Sequence, residues 1–317
     1  MKYIISAISL ITLSITLLEG AGGTTGFEFL RTDFSARSSS MGSAFIGMKG
    51  DVNGVLHNPA GIAFARERQF TFNYVNYLLD INGGIAAYVQ DVASVGRMSC
   101  AIIYMDYGTF DETTENADKT GRKFGAHDIA FAVTVADSLE TNFTYGATVK
   151  YIYSKIDMYS ASAVACDLGL LYDAPFQDNL TFGVTILNFG TALSAMYTTK
   201  ERLPLSVNLG LSKKLAHLPL QFNLELYQLN ESEETIWQRL KKIRFGGEFT
   251  LSGMLRLRLG YDHAIHQDAD IDVESGVNFG GVTVGGGILW RSYRFDYGFN
   301  SYHLLGSVHR IGIQGVF

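Results

Sequence analysis

The sequence predicts an all-β fold, a 14-stranded antiparallel transmembrane β-barrel with an N-terminal plug segment. Three observations carry the barrel, and the plug rests on residues 24–66. From residue 67 onward hydropathy alternates with a period of two. Many of the alternating runs exceed ten residues, whereas a soluble strand usually has about five or six. The connections between runs are short on one side and often long on the other, as turns and loops are on the two faces of a membrane barrel.

Composition agrees. Gly contributes 34 of 317 residues and Tyr and Phe 17 and 21, against 4 Pro and 18% charged residues. The mean hydropathy of +0.11 is too low for a helical membrane protein. A net charge of −6 with no clustered basic face argues against a nucleic-acid partner.

Taken in order, residues 1–22 read as a signal peptide. Lys2 precedes the apolar "YIISAISLITLSITLL", and the small residues of "EGAGG" follow. The run is short and serine-rich for a bilayer span, and no cysteine follows it to carry a lipid anchor. Residues 24–66 lack both periods, and the turn-prone "DVNGVLHNPAGIA" (51–63) holds one of the four prolines. They precede the barrel, which spans 67–317. The strands fall at 67–78, 82–92, 95–107, 127–137, 141–156, 163–174 and 179–190. Seven more follow at 203–215, 218–229, 242–252, 254–265, 275–290, 292–300 and 308–317. In the twelfth, Gly280-Gly281 fits a bulge, because the phase changes between Phe279 and Val282.

The period sorts the faces. Leu180, Phe182, Val184 and Ile186 alternate with Thr181, Gly183 and Thr185; Leu255, Leu257, Leu259 and Tyr261 alternate with Arg256, Arg258 and Gly260. The polar face carries Lys150, Glu225, Arg256, Arg258 and Arg310. On lipid each would cost about 2–4 kcal/mol near the midplane, so these charges face the lumen. A water-filled pore, a plugged barrel and a peptide-binding interior all satisfy that requirement. The prolines stay out of mid-sheet, with Pro175 and Pro219 in turns and Pro204 opening a strand. Phe317 ends the chain on the apolar face, but Gly315 stands two places before it. Cys100 and Cys166 lie on non-adjacent strands and are expected to be unpaired.

Catalytic, cofactor-binding and metal residues are not assigned. The seven histidines are scattered, with no His-Glu-x-x-His spacing. "GGVTVGGG" lies inside a strand and opens no helix, so it reads as relief of crowding at a barrel bend. "HQDADIDVE" spaces Asp268, Asp270, Asp272 and Glu274 by two but lacks the turn glycine of a calcium loop; it reads as an acidic surface loop. "NESEETIWQRLKK" reads as a short helix capped by Asn230, with Glu233 at the capping-box position and Ile236 and Leu240 on one face.

The stretch "FEFLRTDFSARSSSMGSAFIGMKGDVNGVLHNPAGIA" resembles the N-terminal signature of the PorV/PorQ family of outer-membrane proteins, related to the FadL-type transporters. Its matching positions include Arg37, Met41, Gly42, Asp51, Asn58, Pro59 and Gly61. "FGGEFTLSGMLRLRLGYDH" and "YRFDYGFNSYHLLGSVHRIGIQGVF" are also similar to that family. Ser43, Gly50 and His57 depart from it. The resemblance implies a bacterial outer-membrane barrel with 24–66 inside it as the plug segment, Asn58-Pro59 in a tight turn, and Arg37 or Asp51 paired with lumen charges. It also implies partners: outer-membrane lipid, and a secretion translocon or the C-terminal domains of its cargo in type IX protein secretion. FadL-like uptake of a hydrophobic ligand is the alternative, and a purely structural barrel is the third reading. Uptake requires a kinked wall strand and a continuous apolar pocket. The charged lumen weighs towards secretion.

Overall fold

The computed structural model describes residues 25–65, 68–231, 241–268 and 278–317. The signal-peptide assignment, most of the helix drawn over 230–242 and most of the acidic 268–274 run lie outside these residues. Among the described residues fourteen strands form one closed antiparallel barrel in sequence order, with β1 (Arg68–Asn76) closing on β14 (Ser307–Val316). Between them run β2 (Asn82–Val92), β3 (Gly96–Thr113), β4 (Lys119–Glu140), β5 (Phe143–Ile156), β6 (Tyr159–Asp173) and β7 (Leu180–Ser194). Then come β8 (Ser206–Lys214), β9 (Leu220–Leu226), β10 (Ile243–Thr250), β11 (Leu255–Asp262), β12 (Val282–Trp290) and β13 (Tyr293–Ser301). Closure leaves no edge, which a sheet in hydrocarbon requires because no water is there to satisfy its backbone.

The faces sort as the alternation predicts. Phe72, Phe131, Tyr151, Leu168 and Ile311 point outward and are 46–61% exposed, while Thr148, Lys150, Glu225, Arg258 and Arg310 are buried inside. Cys100 and Cys166 are free and exposed. Over Gly315 lies the ring of Phe70, where a Cβ would sit 2.3 Å from it; Phe70 in turn touches Phe317 at 6.0 Å between centroids.

Two expectations need correction. The loop drawn over 108–126 is a protruding hairpin, with β3 and β4 paired out to Thr113 and Lys119. Phe110 stacks near Phe124 at 5.6 Å, and Arg122 bonds Glu112 at 2.8 Å. A ribbon wet on both faces has no reason to alternate in hydropathy. Nor is Gly280-Gly281 a bulge inside β12. The strand starts at Val282, and Gly281 enters it from a turn with φ 78°.

Residues 25–65 run through the lumen in short helical turns. Ser35 caps Ala36–Ser39 by accepting from the Ser38 N–H at 3.3 Å. Asp51 caps Val52–Leu56, accepting from Asn53 N–H at 2.8 Å. Asn58 caps Pro59–Phe64, accepting from Ala60 N–H at 3.0 Å, with Pro59 at the first position, where its missing donor costs nothing. The wall admits this backbone through glycines that face each other across strands. A Cβ on Gly246 would meet Met41 O at 2.3 Å, and one on its partner Gly260 would meet Gly42 N at 2.1 Å. A Cβ on Gly285, in the run assigned to a bend, would lie 2.4 Å from the Ser40 side chain. The need is contact with the luminal segment, which local sequence does not display.

Candidate functional site

Six side chains form a closed ring of alternating charge where the luminal segment meets β10, β11 and β13. Arg37 pairs with Asp51 at 2.6 Å and with Glu248 at 2.7 Å. Arg258 joins Glu248 at 2.6 Å to Asp296 at 2.8 Å. Arg294 completes the circuit, to Asp296 at 2.7 Å and Asp51 at 2.8 Å. Three guanidiniums and three carboxylates leave the ring neutral, and each charge has two opposite neighbours. That arrangement is what allows charge to persist in a buried place.

Burial works against the charge on Asp51, but Arg294 and Arg37 outweigh it and hold the carboxyl well below the usual aspartate range. A carboxyl held low adds stability that is complete above about pH 4 and is lost as pH falls towards the folded value. Protease resistance of residues 25–65 in detergent should therefore be level from pH 8 to 5 and decline only below about pH 4. A decline near pH 6 would mean that the ring does not hold the segment.

Other luminal charges bind the same segment. Glu225 accepts from Phe45 N–H at 3.0 Å and Ile46 N–H at 3.3 Å, and it pairs with Arg244, whose guanidinium lies 4.5 Å from the Tyr227 ring centre. Arg310 donates to Asp33 O and Asn300 Oδ1, both at 2.7 Å. His57 reaches Ser38 Oγ at 3.1 Å and Asp33 at 3.4 Å. Met41 is fully buried beside Phe45 and Met48. Gly42 adopts φ 65°, and its N–H donates to Thr283 Oγ1 at 2.9 Å. The Gly61 carbonyl accepts from Gly50 N–H at 3.0 Å, and a Cβ on Gly61 would lie 2.9 Å from Met48 O. Asn58 also donates to Ile46 O at 2.9 Å and Leu170 O at 3.2 Å, stitching the segment to β6. Arg256 sits apart at the turn-side mouth.

Lys150 belongs to a second feature. The β7–β8 ladder stops at Leu187↔Ser206, although β7 runs on to Ser194. At that point β7 bulges. Leu187 and Asn188 together oppose Asp167, and Asn188 takes φ 60°. Asp167 accepts from Asn188 N–H at 2.8 Å, and Lys150 joins both, at 2.7 Å to Asp167 and 2.8 Å to Asn188 Oδ1. Two cavities share Asn188. One, of about 100 Å³, is luminal and touches Leu30, Leu56, Leu187 and Arg244. The other, of about 320 Å³, touches Phe189, Ala192, Leu203 and Leu205. The strand kink that uptake requires is thus present. A larger luminal cavity, of about 270 Å³, is lined by Arg31, Asp33, Tyr227, Arg244, Asp262 and Arg310; this cavity is polar, whereas elsewhere in the lumen Phe29, Phe34, Val52 and Ile62 pack against Val75, Ile85 and Ile152 of the wall.

Sequence reasoning missed Glu248, Arg294, Asp296, Asp167 and Asn188. The first four stand on the polar parity of their strands, and the period of two could have found them. Asn188 could not be found that way, because a bulge breaks the period.

Together these features define a large antiparallel barrel with an occupied lumen and a β7–β8 ladder that stops short of the end of β7. No protein-family model matches the sequence, and no curated protein matches it. Among solved structures, the toluene transporter TbuX of Ralstonia pickettii is similar, with a TM-score of 0.60, 13% identity, and coverage of 90% of this chain and 98% of its own. The toluene transporter TodX of Pseudomonas putida follows, with a TM-score of 0.58, 14% identity, and 89% and 96% coverage. A Pseudomonas aeruginosa FadL homologue gives 0.52 at 11% identity, covering 86% and 95%. The chain has the FadL-type barrel fold.

Proposed function

We propose that this barrel resides in the bacterial outer membrane and passes hydrophobic small molecules through its wall between β7 and β8. The observation that carries the reading is the bulge at Asn188, where the β7–β8 ladder ends and where one residue lines both an inner and an outer cavity. A lipid-dissolved molecule can enter there without crossing the polar loops, and the luminal segment bars the straight path. The toluene transporters that share this fold add support. Lys150 and Asp167 act here as supports that hold the bulge open.

The test compares cells carrying the wild-type chain, no chain, or Ala192→Trp, following uptake of labelled toluene and of a long-chain fatty acid. Ala192 is buried and lines the outer cavity. The indole should fill that cavity and cut uptake to the level of cells without the chain, while heat-dependent gel mobility shows that the barrel still assembles. Unimpaired uptake through A192W would overturn the wall route. The likeness of 27–63 to the PorV/PorQ signature supports a second reading, type IX secretion, with lumen charges and outer loops serving cargo. Its outcome in the same cells is a depleted secreted proteome with unchanged uptake.

A further inference from the structure

At the turn-side mouth a cavity of about 430 Å³ adjoins the charge ring, lined by Arg37, Lys214, Gln221, Glu248, Arg256 and Arg294. Four cations face one carboxylate. Arg37, Arg294 and Glu248 are already balanced within the neutral ring, so Lys214 and Arg256 are the surplus. Arg256 donates only to neutral acceptors, Ser252 O at 2.6 Å and Leu255 O at 3.1 Å. The Lys214 ammonium has no partner among the described residues. Register sets the two on one rim, three strands apart and lining the same cavity: Lys214 stands opposite Gln221, Gln221 opposite Glu248, and Arg256 opposite Thr250, two residues along from Glu248.

Two uncompensated cations in a recess raise the local concentration of anions. A guanidinium fork on one wall of a cavity and a point-like ammonium on the other suit an oxyanion that offers several oxygens at once. We propose that this recess binds a phosphate-type oxyanion on the side of the barrel where the turns lie. The oxyanion is supplied either free in solution or as the head group of an anionic phospholipid in the adjacent leaflet. Thr250 lines the rim with Lys214 and Arg256, the Gln221 amide being already engaged by Ser212 Oγ and Met48 Sδ, both at 2.9 Å, and Arg37 and Arg294 form the floor. This site is independent of the transport reading, and a failed uptake experiment leaves it untouched.

The experiment is calorimetric titration of the full chain in a non-ionic detergent at about 0.15 M salt, where weak surface attraction is screened. The probes are inorganic phosphate and a short-chain phosphatidylglycerol. Saturable binding of either probe, weakened about tenfold or more in the Lys214→Gln/Arg256→Gln double variant, supports the site. Binding of phosphatidylglycerol alone assigns the source to lipid; binding of phosphate, alone or with it, assigns it to a free anion. No saturable heat with either probe, or equal affinity in a double variant of normal gel mobility, overturns the proposal.

Discussion

Asp51→Asn should free the luminal segment from the barrel wall. The change keeps the volume of the side chain but removes the carboxylate shared by Arg37 and Arg294. It leaves three guanidiniums facing two carboxylates in a buried place. Removing one partner of a buried pair costs about 3–5 kcal/mol, because the remaining charge cannot be solvated. Asp51 also caps the turn Val52–Leu56, a loss the amide largely makes good, since asparagine caps about as well. The loss should therefore appear as an electrostatic one. Limited trypsin digestion in detergent, with sites at Arg37 and Lys49, should cut the variant and spare the wild type. Planar-bilayer conductance should rise in parallel. The double variant Arg37→Met/Asp51→Asn is the discriminating control. It leaves two guanidiniums and two carboxylates on the wall, neutral again, and should recover much of the loss. If the double is worse than D51N by the full effect of Arg37→Met measured alone, the two residues are not coupled and the ring is not a latch.

The wall was legible in the sequence and its interior only in part. A period of two needs no partner to be seen, and it places Leu257 outside and Arg258 inside before any contact is known. The inward charges Lys150, Glu225, Arg258 and Arg310 follow from the cost of placing them on lipid. What each one touches does not. Arg258 meets Asp296 across the intervening β12, and Arg37 meets Glu248 across 211 positions of sequence. No local pattern encodes such pairings. The bulge at Asn188 escaped for another reason. Asparagine tolerates a left-handed backbone, yet nothing in "TILNFGT" marks it as a strand interruption until the Asp167 carboxylate opposite is seen to accept its N–H. The hairpin beyond Asp106 escaped because both of its faces are wet.

Gly246→Ala and Gly260→Ala, combined, should displace the same segment by sterics alone. These glycines face each other across β10 and β11. Each added methyl would sit 2.1–2.3 Å from backbone atoms of Met41 or Gly42. Backbone cannot swing aside as the end of a flexible side chain can, so Met41 and Gly42 must move. Overpacking of this kind costs about 1–3 kcal/mol per site. It falls on the contact between segment and wall and spares the wall itself, since alanine in a strand keeps every ladder hydrogen bond. The double variant should thus keep the heat-resistant mobility of a closed barrel while residues 25–65 become protease-sensitive. Gly253→Ala is the matched control: nothing lies within 4 Å of the Cβ it would add, and it should behave as wild type. The steric and electrostatic variants also answer to salt differently. Added salt should not restore docking in the alanine pair, whereas in D51N it should partly screen the unpaired Arg37 and Arg294, which are 12% and 15% exposed. If both variants release the segment and both raise conductance, the segment is what closes the lumen. If both release it and conductance stays at the wild-type level, the segment is not what closes the lumen, and the wall at Asn188 is then the route that remains.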